Sequence, residues 1–339
     1  MRSLILIALA GAAAQLVDGG IGMGFGVTST TILLLAGLGP ATASAVVHTS
    51  ELGTTLVSGI SHWRFGNVHW PTVLKLGVPG GLSAFLGATV LSNLSLEAAA
   101  PVTSAILIAM GLNLVWRFSR LRPRAESAPR RRHSTPFLAG LGVVGGFIDA
   151  SGGGGWGPIS TSTLLAVGRE QPRRIVGTVN TAEFLVTFGA TAGFIVGLWE
   201  EIVANATAVA ALLIGGTITA PVAAWLISRI NPTLLGGFVG TAIVALNVPR
   251  ALGWLLPHAA IVGMQVAVLV AGVGLTVWAT RRRKRLGKLV EEQEGSAKAE
   301  QGTVREHGGS RVVSSTEPSS PVEANATDQT APVTAGGRG

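Results

Sequence analysis

The chain contains no cysteine and no tyrosine, and only 12% of its 339 residues are charged. Without cysteine there are no disulfides and no thiolate metal sites. Soluble domains carry about 25% charged residues, so this chain has too few polar groups to cover a water-facing surface. Its mean hydropathy is +0.51. Apolar runs recur at roughly 17–25 residues, the length that crosses about 30 Å of hydrocarbon. These features indicate a polytopic, all-α membrane protein whose first partner is the lipid bilayer.

The net charge of +8 does not mark a nucleic-acid protein, because of where the charges lie. Between Met1 and Trp116 the formal charges are Arg2, Asp18, Glu51, Arg64, Lys75 and Glu97. Basic residues bunch between apolar runs and after the last one, as cytoplasmic loops require. Met1–Ala14 has the look of a signal peptide. However, a similar apolar run, FLAGLGVVGGFI, precedes the second copy of the motif described next, deep inside the chain. That counterpart favours a retained segment.

The phrase DGGIGMGFGVTSTTILL (Asp18–Leu34) returns as DASGGGGWGPISTSTLL (Asp149–Leu165), 131 residues later. At that offset Gly22, Gly24 and Gly26 meet Gly153, Gly155 and Gly157, and Phe25 meets Trp156. Ser29 and Thr30 likewise meet Ser160 and Thr161. With one inserted residue the register continues through Pro40/Pro172, Thr49/Thr181, Glu51/Glu183 and Thr55/Thr187, and a further shift pairs Ser92 with Ser228. Such duplication is the common build of secondary transporters.

The repeats divide the chain into a first membrane repeat (residues 1–116), an Arg-rich cytoplasmic linker (117–135) and a second repeat (136–253). A C-terminal transmembrane helix with its basic stop (254–286) and a polar tail (287–339) follow. The tail's composition predicts disorder. The segment Leu4–Leu38 is too long for one crossing and its two parts are each too short. The glycine cluster between them, poor in helix propensity, marks a break. The expected element is a re-entrant hairpin of two half-helices, buried in protein where irregular backbone is tolerated. Each repeat then has one hairpin and three crossings, an odd number, so the second copy is inverted. With the linker inside the cell, Arg64, Lys75, Arg169, Arg173, Arg174, Arg229 and Arg281–Arg285 fall inside, and Glu97, Glu200 and Glu201 fall outside. Only Arg2 and Arg250 break the positive-inside rule. The N-terminus is thus expected outside, the tail in the cytoplasm, and the whole as a multi-pass protein of the plasma membrane.

Two opposed hairpins bring their tips toward the bilayer centre. Helix starts there offer free N–H groups and partial positive charge, which suits an anion. The expected substrate site is therefore Gly24, Gly26, Ser29 and Thr30 from one copy with Gly155, Trp156, Gly157, Ser160 and Thr161 from the other. Close helix packing by small residues is the competing reading of the same phrase. Glu51 and Glu183 sit in apolar spans, where a charge is expensive and functional by default. They either move protons with the substrate, with His48 and Asn180 as neighbours, or tie helices together as protonated acids. Asp18 and Asp149 either hold the hairpin tips or bind a coupling cation. His62 and His69, beside Trp63 and Trp70, fit an interfacial anchor. Gly152, Gly154 and Gly157 match GxGxxG, but without a βαβ context the match carries no weight. No metal site and no cofactor are expected. Ser50 and His48 stand two apart on a helix and face away from each other, which argues against a hydrolase.

The paired glycine motifs, together with SHWRFGNVHW followed by LGVPGGLSAFLGATVLSNL, and GGGGWGPISTSTLL followed by VNTAEFLVTF, resemble the sulfite exporter TauE/SafE family. The resemblance covers about Leu4 to Trp254 and implies an integral membrane protein that moves a small sulfur-containing anion such as sulfite or an organosulfonate. Many relatives in that family carry a proline after the first glycine cluster as well as the second. Here only Pro158 keeps it, with Val27 at the first position. A passive anion channel, an intramembrane enzyme and a structural membrane protein are the alternatives, and a homo-oligomer is compatible with the sequence.

Overall fold

The computed structural model describes residues 2–21, 23–120, 133–167, 170–227 and 232–308. Every regular element among the described residues is helical. The chain divides into two compact units, Met1–Arg285 and Leu286–Gly339.

In the first unit, α1 (Arg2–Ile21) and α2 (Phe25–Leu35) flank the first glycine cluster, and α3 (Pro40–Arg64), α4 (Trp70–Ser92) and α5 (Leu96–Ser119) follow. The order then repeats. α6 (Thr135–Gly152) leads through the second glycine cluster and a wide turn at Gly157–Thr161 into α7 (Ser162–Val167). α8 (Pro172–Ala204), α9 (Ala206–Ile227) and α10 (Pro232–Leu252) come next, and α11 (His258–Gly308) begins the closing segment. Prolines sit in the first turn of α3, α4, α6 and α8, where a missing N–H costs nothing. Ser95 caps α5 by accepting the Ala98 N–H, satisfying one of the orphan donors of a helix start.

Five stretches are long and apolar enough to cross a membrane: Trp70–Ser92, Leu96–Ser119, Arg173–Ala204, Thr233–Leu252 and His258–Gly287. α3 is long enough as well, at 25 residues or about 38 Å. It falls short in hydropathy because it carries Ser44, His48, Thr49, Ser50, Glu51, Thr54, Thr55 and Ser58, the polar side chains that build the site. Large apolar residues such as Leu82, Val196, Ile218 and Val270 face outward. An apolar surface of this kind is what lipid covers and water does not.

The arms around the glycine clusters are unequal, which the sequence reading did not anticipate. α1 has 20 residues and α2 has 11, about 30 Å and 16 Å. α6 has 18 residues. The helix runs on through Asp18, Gly19 and Gly20 because backbone groups at this depth must be satisfied within the segment. It breaks where glycine alone is comfortable: Gly24 has φ 116°, Gly153 φ 70° and Gly154 φ 146°.

Helix packing follows the same plan in both halves. α4 lies on α6 and α1 lies on α9, while α3 packs on α8 and α5 on α10. Small residues let these backbones touch. A side chain on Gly11 would run into the Leu212 carbonyl, and one on Gly142, its mate 131 residues on, into the Leu76 carbonyl. Two large apolar clusters result. One centres on Leu76, Trp156, Val186 and Phe194, the other on Phe25, Leu33, Val47, Leu114 and Leu212.

In the second unit the described residues are helical to Gly308, whereas the sequence reading places disorder from Gly287. The stretch EEQEGSAKAEQ supplies enough Glu, Lys, Ala and Gln to favour a helix. The rest of that segment, residues 309–339, lies outside the described residues. So do most of the Arg-rich linker (121–132), Gly168 with Arg169, and residues 228–231 with Arg229.

Candidate functional site

The two glycine knots meet face to face. A Cβ on Gly26 would stand 2.8 Å from the Gly154 Cα, and one on Gly157 would stand 2.8 Å from the Met23 Cβ. The Thr30 hydroxyl donates to the Gly153 carbonyl, closing the contact between halves. Gly24, Gly26, Gly155, Gly157 and Trp156 are all buried, and Ser29, Thr30, Ser160 and Thr161 are wholly shielded. The Trp156 indole is a core side chain that donates to the Val179 carbonyl at 3.1 Å. The residues expected to present donors to a substrate therefore pack against one another. Among them, Ser29, Ser160 and Thr161, together with Thr28, retain hydroxyls without a partner among the described residues.

The open space lies beside the knots. A cleft of about 390 Å³, counting its mouth, is lined by Asp18, Glu51 and Glu183, by the amides of Gln15 and Asn180, and by the hydroxyls of Thr54, Thr55 and Ser58, with Phe25 at one wall. α1, α2, α3 and α8 thus each contribute. Three carboxyl groups share this cleft, and among the described residues no lysine or arginine lines it. At its margin Thr55 and Thr187 lie 3.3 Å apart, hydroxyl to hydroxyl. These are mates in the sequence repeat, and a residue that touches its own mate marks the place where the two copies cross.

Asp18 and Asp149 hold corresponding turns. Asp149 Oδ1 accepts the Trp156 N–H at 2.8 Å, and Asp18 accepts the N–H of Phe25, the mate of Trp156. Each aspartate thereby satisfies a backbone donor freed where its helix breaks. Their other contacts differ. Asp149 Oδ2 is 3.1 Å from Nε2 of His48, with both side chains shut away from solvent. Asn180 stands where the repeat places the mate of His48, and it lines the cleft with Asp18. His48 therefore does not serve Glu51, as the sequence spacing suggested, but reaches across to the other half.

His48 Nδ1 lies 2.8 Å from the Ser44 carbonyl, while its Nε2 faces Asp149, so both ring nitrogens are engaged. Ser44 Oγ donates to the Ala150 carbonyl at 2.8 Å, pinning α3 to the end of α6. The Phe194 ring covers His48 at 5.8 Å between centroids.

Sequence reasoning found the acids and missed Gln15, Thr54 and Ser58, whose polarity is ordinary on a helix. It also read Arg117 as the first residue of a loop. The structure keeps Arg117 in the last turns of α5, with Nη1 2.8 Å from Ser162 Oγ. No group of three or more His, Asp or Glu side chains suited to a metal ion occurs among the described residues.

A bundle of membrane-length helices, with a polar cleft built from both halves of a duplicated chain, defines a membrane transporter. The chain belongs to the sulfite exporter TauE/SafE family, whose model matches residues 7–249. It is 46% identical over 252 residues to the "Probable membrane transporter protein YtnM" of Bacillus subtilis (strain 168), covering 73% of this chain and 82% of that protein. No solved structure matches it.

Proposed function

We propose that the protein is a proton-coupled secondary transporter of a small sulfur-containing anion, sulfite or an organosulfonate, in the plasma membrane. We further propose that two inverted repeats build it, with the N-terminus outside and the C-terminal tail in the cytoplasm. The contact between the mates Thr55 and Thr187 and the matching turns held by Asp18 and Asp149 support a pseudo-twofold arrangement. The positive-inside pattern supports its orientation.

The observation that carries the coupling is the acidic cleft without a cation. Two like charges about 5 Å apart repel by about 3 kcal/mol at an effective dielectric of about 20. An anion approaching three carboxylates meets that cost several times over. Protons carried on Glu51 and Glu183 remove the repulsion, so the anion crosses only in company with protons. An ordinary channel has no use for such a barrier.

The test is flux in proteoliposomes with sulfite, sulfate, thiosulfate and short alkanesulfonates, read together with an internal pH dye. Coupled transport gives proton movement in fixed proportion to anion movement. Anion flux with no pH change would make the protein a passive pore. Absence of flux for every anion would leave a structural role.

A further inference from the structure

The cleft explains where protons are held but offers no positive charge to the anion. Arg117 supplies one on the other side of the knots. Its Nη1 is 2.8 Å from Ser162 Oγ and 2.9 Å from the Met23 sulfur. A thioether is a weak acceptor, and neither Nε nor Nη2 donates to a described residue. No described carboxylate lies within ion-pair distance, since the ion pair found among the described residues is His48–Asp149. Asn113, one turn earlier on α5, places its amide 3.4 Å from the same Ser162 hydroxyl. A half-buried guanidinium turned inward with no described carboxylate beside it is expensive in a membrane protein, and such residues mark ligand pathways.

Snorkelling to the interface is the simple alternative for an arginine near a helix end. Arg120 does this, with its guanidinium 3.8 Å over the Trp116 ring. Arg117 instead turns inward to the first knot and to the start of α7. The other half of the fold gives a comparison. Asn247 on α10 donates to Thr31, the mate of Ser162, at 3.1 Å, so the amide–hydroxyl contact recurs. One turn beyond Asn247 stands Ala251, and its neighbour Arg250 donates to the Leu34 carbonyl of α2 instead of to a hydroxyl.

We propose that Arg117, Ser162 and Asn113 form an oxyanion-binding site that receives the substrate at the end of α5, separated from the acidic cleft by the packed glycine knots. This rests on the anion reading above. A guanidinium presents a planar fork that matches two oxygens of a sulfite or sulfonate group. Ser162 donates its hydroxyl hydrogen to Asn113 Oδ1, which leaves the Asn113 amide N–H groups as further donors. The anion is received on one side of the knots before it meets the proton-carrying acids of the cleft on the other. A lipid phosphate has the same oxygen chemistry, and the experiment separates the two.

Full-length protein is titrated with sulfite in two ways: thermal unfolding in a neutral detergent, and uptake into phosphatidylcholine vesicles with and without phosphatidylglycerol. Arg117→Gln should raise the half-saturating sulfite concentration by about ten- to a hundredfold, the loss expected for a charge-assisted bond. Arg117→Lys should lie between it and wild type. Arg120→Gln should match wild type. Should Arg117→Gln fail to fold, Ser162→Ala carries the test with a rise of several-fold. Wild-type half-saturation in both variants overturns the site while leaving the transporter reading intact. An effect of Arg117→Gln confined to stabilisation by phosphatidylglycerol assigns the residue to lipid and also overturns it. A wild-type protein that neither binds nor moves sulfite, sulfate, thiosulfate or an alkanesulfonate removes both proposals together.

Discussion

His48 and Asp149, 101 residues apart in sequence, meet at 3.1 Å in an interior closed to water. The contact ties the polar helix of the first half to the glycine break of the second. Breaking a buried pair by removing one partner costs about 3–5 kcal/mol. Asp149→Ala also frees the Trp156 N–H that the carboxylate accepts, so it should be the more damaging of the two single changes. His48→Asn reproduces the residue type of the other half, where Asn180 stands, and should be milder than His48→Ala. Thermal unfolding of the purified variants in detergent gives the order directly. Equal stability of all three with wild type would mean the pair holds nothing together.

Glu51 and Glu183 are the mated acids of the cleft. Replacing either with Gln keeps shape and hydrogen bonding but removes the titratable proton. Each variant should reach the membrane in normal amount and show a weaker dependence of flux on pH. The sign follows from the electrostatics. In wild type, anion entry is fastest on the more acidic side, where the carboxyls are neutral, and falls as pH rises. In the double Gln variant Asp18 is the acid left in the cleft, so the pH dependence of flux should be much shallower than in wild type. The check is initial rate of anion flux against pH, wild type beside each variant. A wild-type slope in the double variant would take these acids out of the coupling step.

The knots make a demand that can be tested by adding a single methyl group. Gly154 has φ 146°, a conformation L side chains rarely adopt, and its Cα lies against Gly26. A Cβ on Gly26 would sit 2.8 Å from that Cα, a backbone atom that cannot swing aside, and 3.3 Å from the Gly153 carbonyl and the Glu51 carboxyl. Gly154→Ala and Gly26→Ala should each destabilise by roughly 1–3 kcal/mol or more, combining strain with overpacking. Gly140→Ala, on the same half with open space around its Cβ position, is the control and should be neutral. Thermal unfolding of the three variants decides, and a Gly26→Ala protein as stable as the control would contradict the tight contact of the knots.

Much of this was legible from the residues themselves. A carboxylate in an apolar run stands out because its burial is expensive, which is why Glu51, Glu183, Asp18 and Asp149 were visible as site candidates. The duplication was visible because glycine, hydroxyl and proline positions recur at one offset. Spacing alone does not say how one copy is rotated onto the other. That rotation turns His48 away from Glu51 and onto Asp149. It also buries Ser29, Thr30, Ser160 and Thr161 in the protein interior instead of leaving them on the cleft. Arg117 was hidden for a different reason. It begins a stretch so rich in arginine that each member reads as a loop charge, and only the course of α5 through Ser119 sets it apart.

The orientation of the repeats gives the last prediction. If the glycine segments are hairpins that enter and leave on one face, the number of full crossings before α9 differs by two from a count that treats each as a single span or by one if only one of them is. The turn after α8 is a sensitive place to look. The helix departs from helical geometry at Leu198, with φ −139° and ψ 35°, and Glu200 and Glu201 beyond it are exposed. A reporter inserted after Glu201 should read external, and one after Arg285, at the end of the basic run, should read internal. The two sites are joined by α9, α10 and α11, three crossings, so opposite readings are required by an odd count. An internal signal at Glu201 with an internal signal at Arg285 would force one of those three helices out of the membrane. Reversed signals at both, with the Arg-rich linker inside, would make the second glycine segment a full crossing and the repeats parallel.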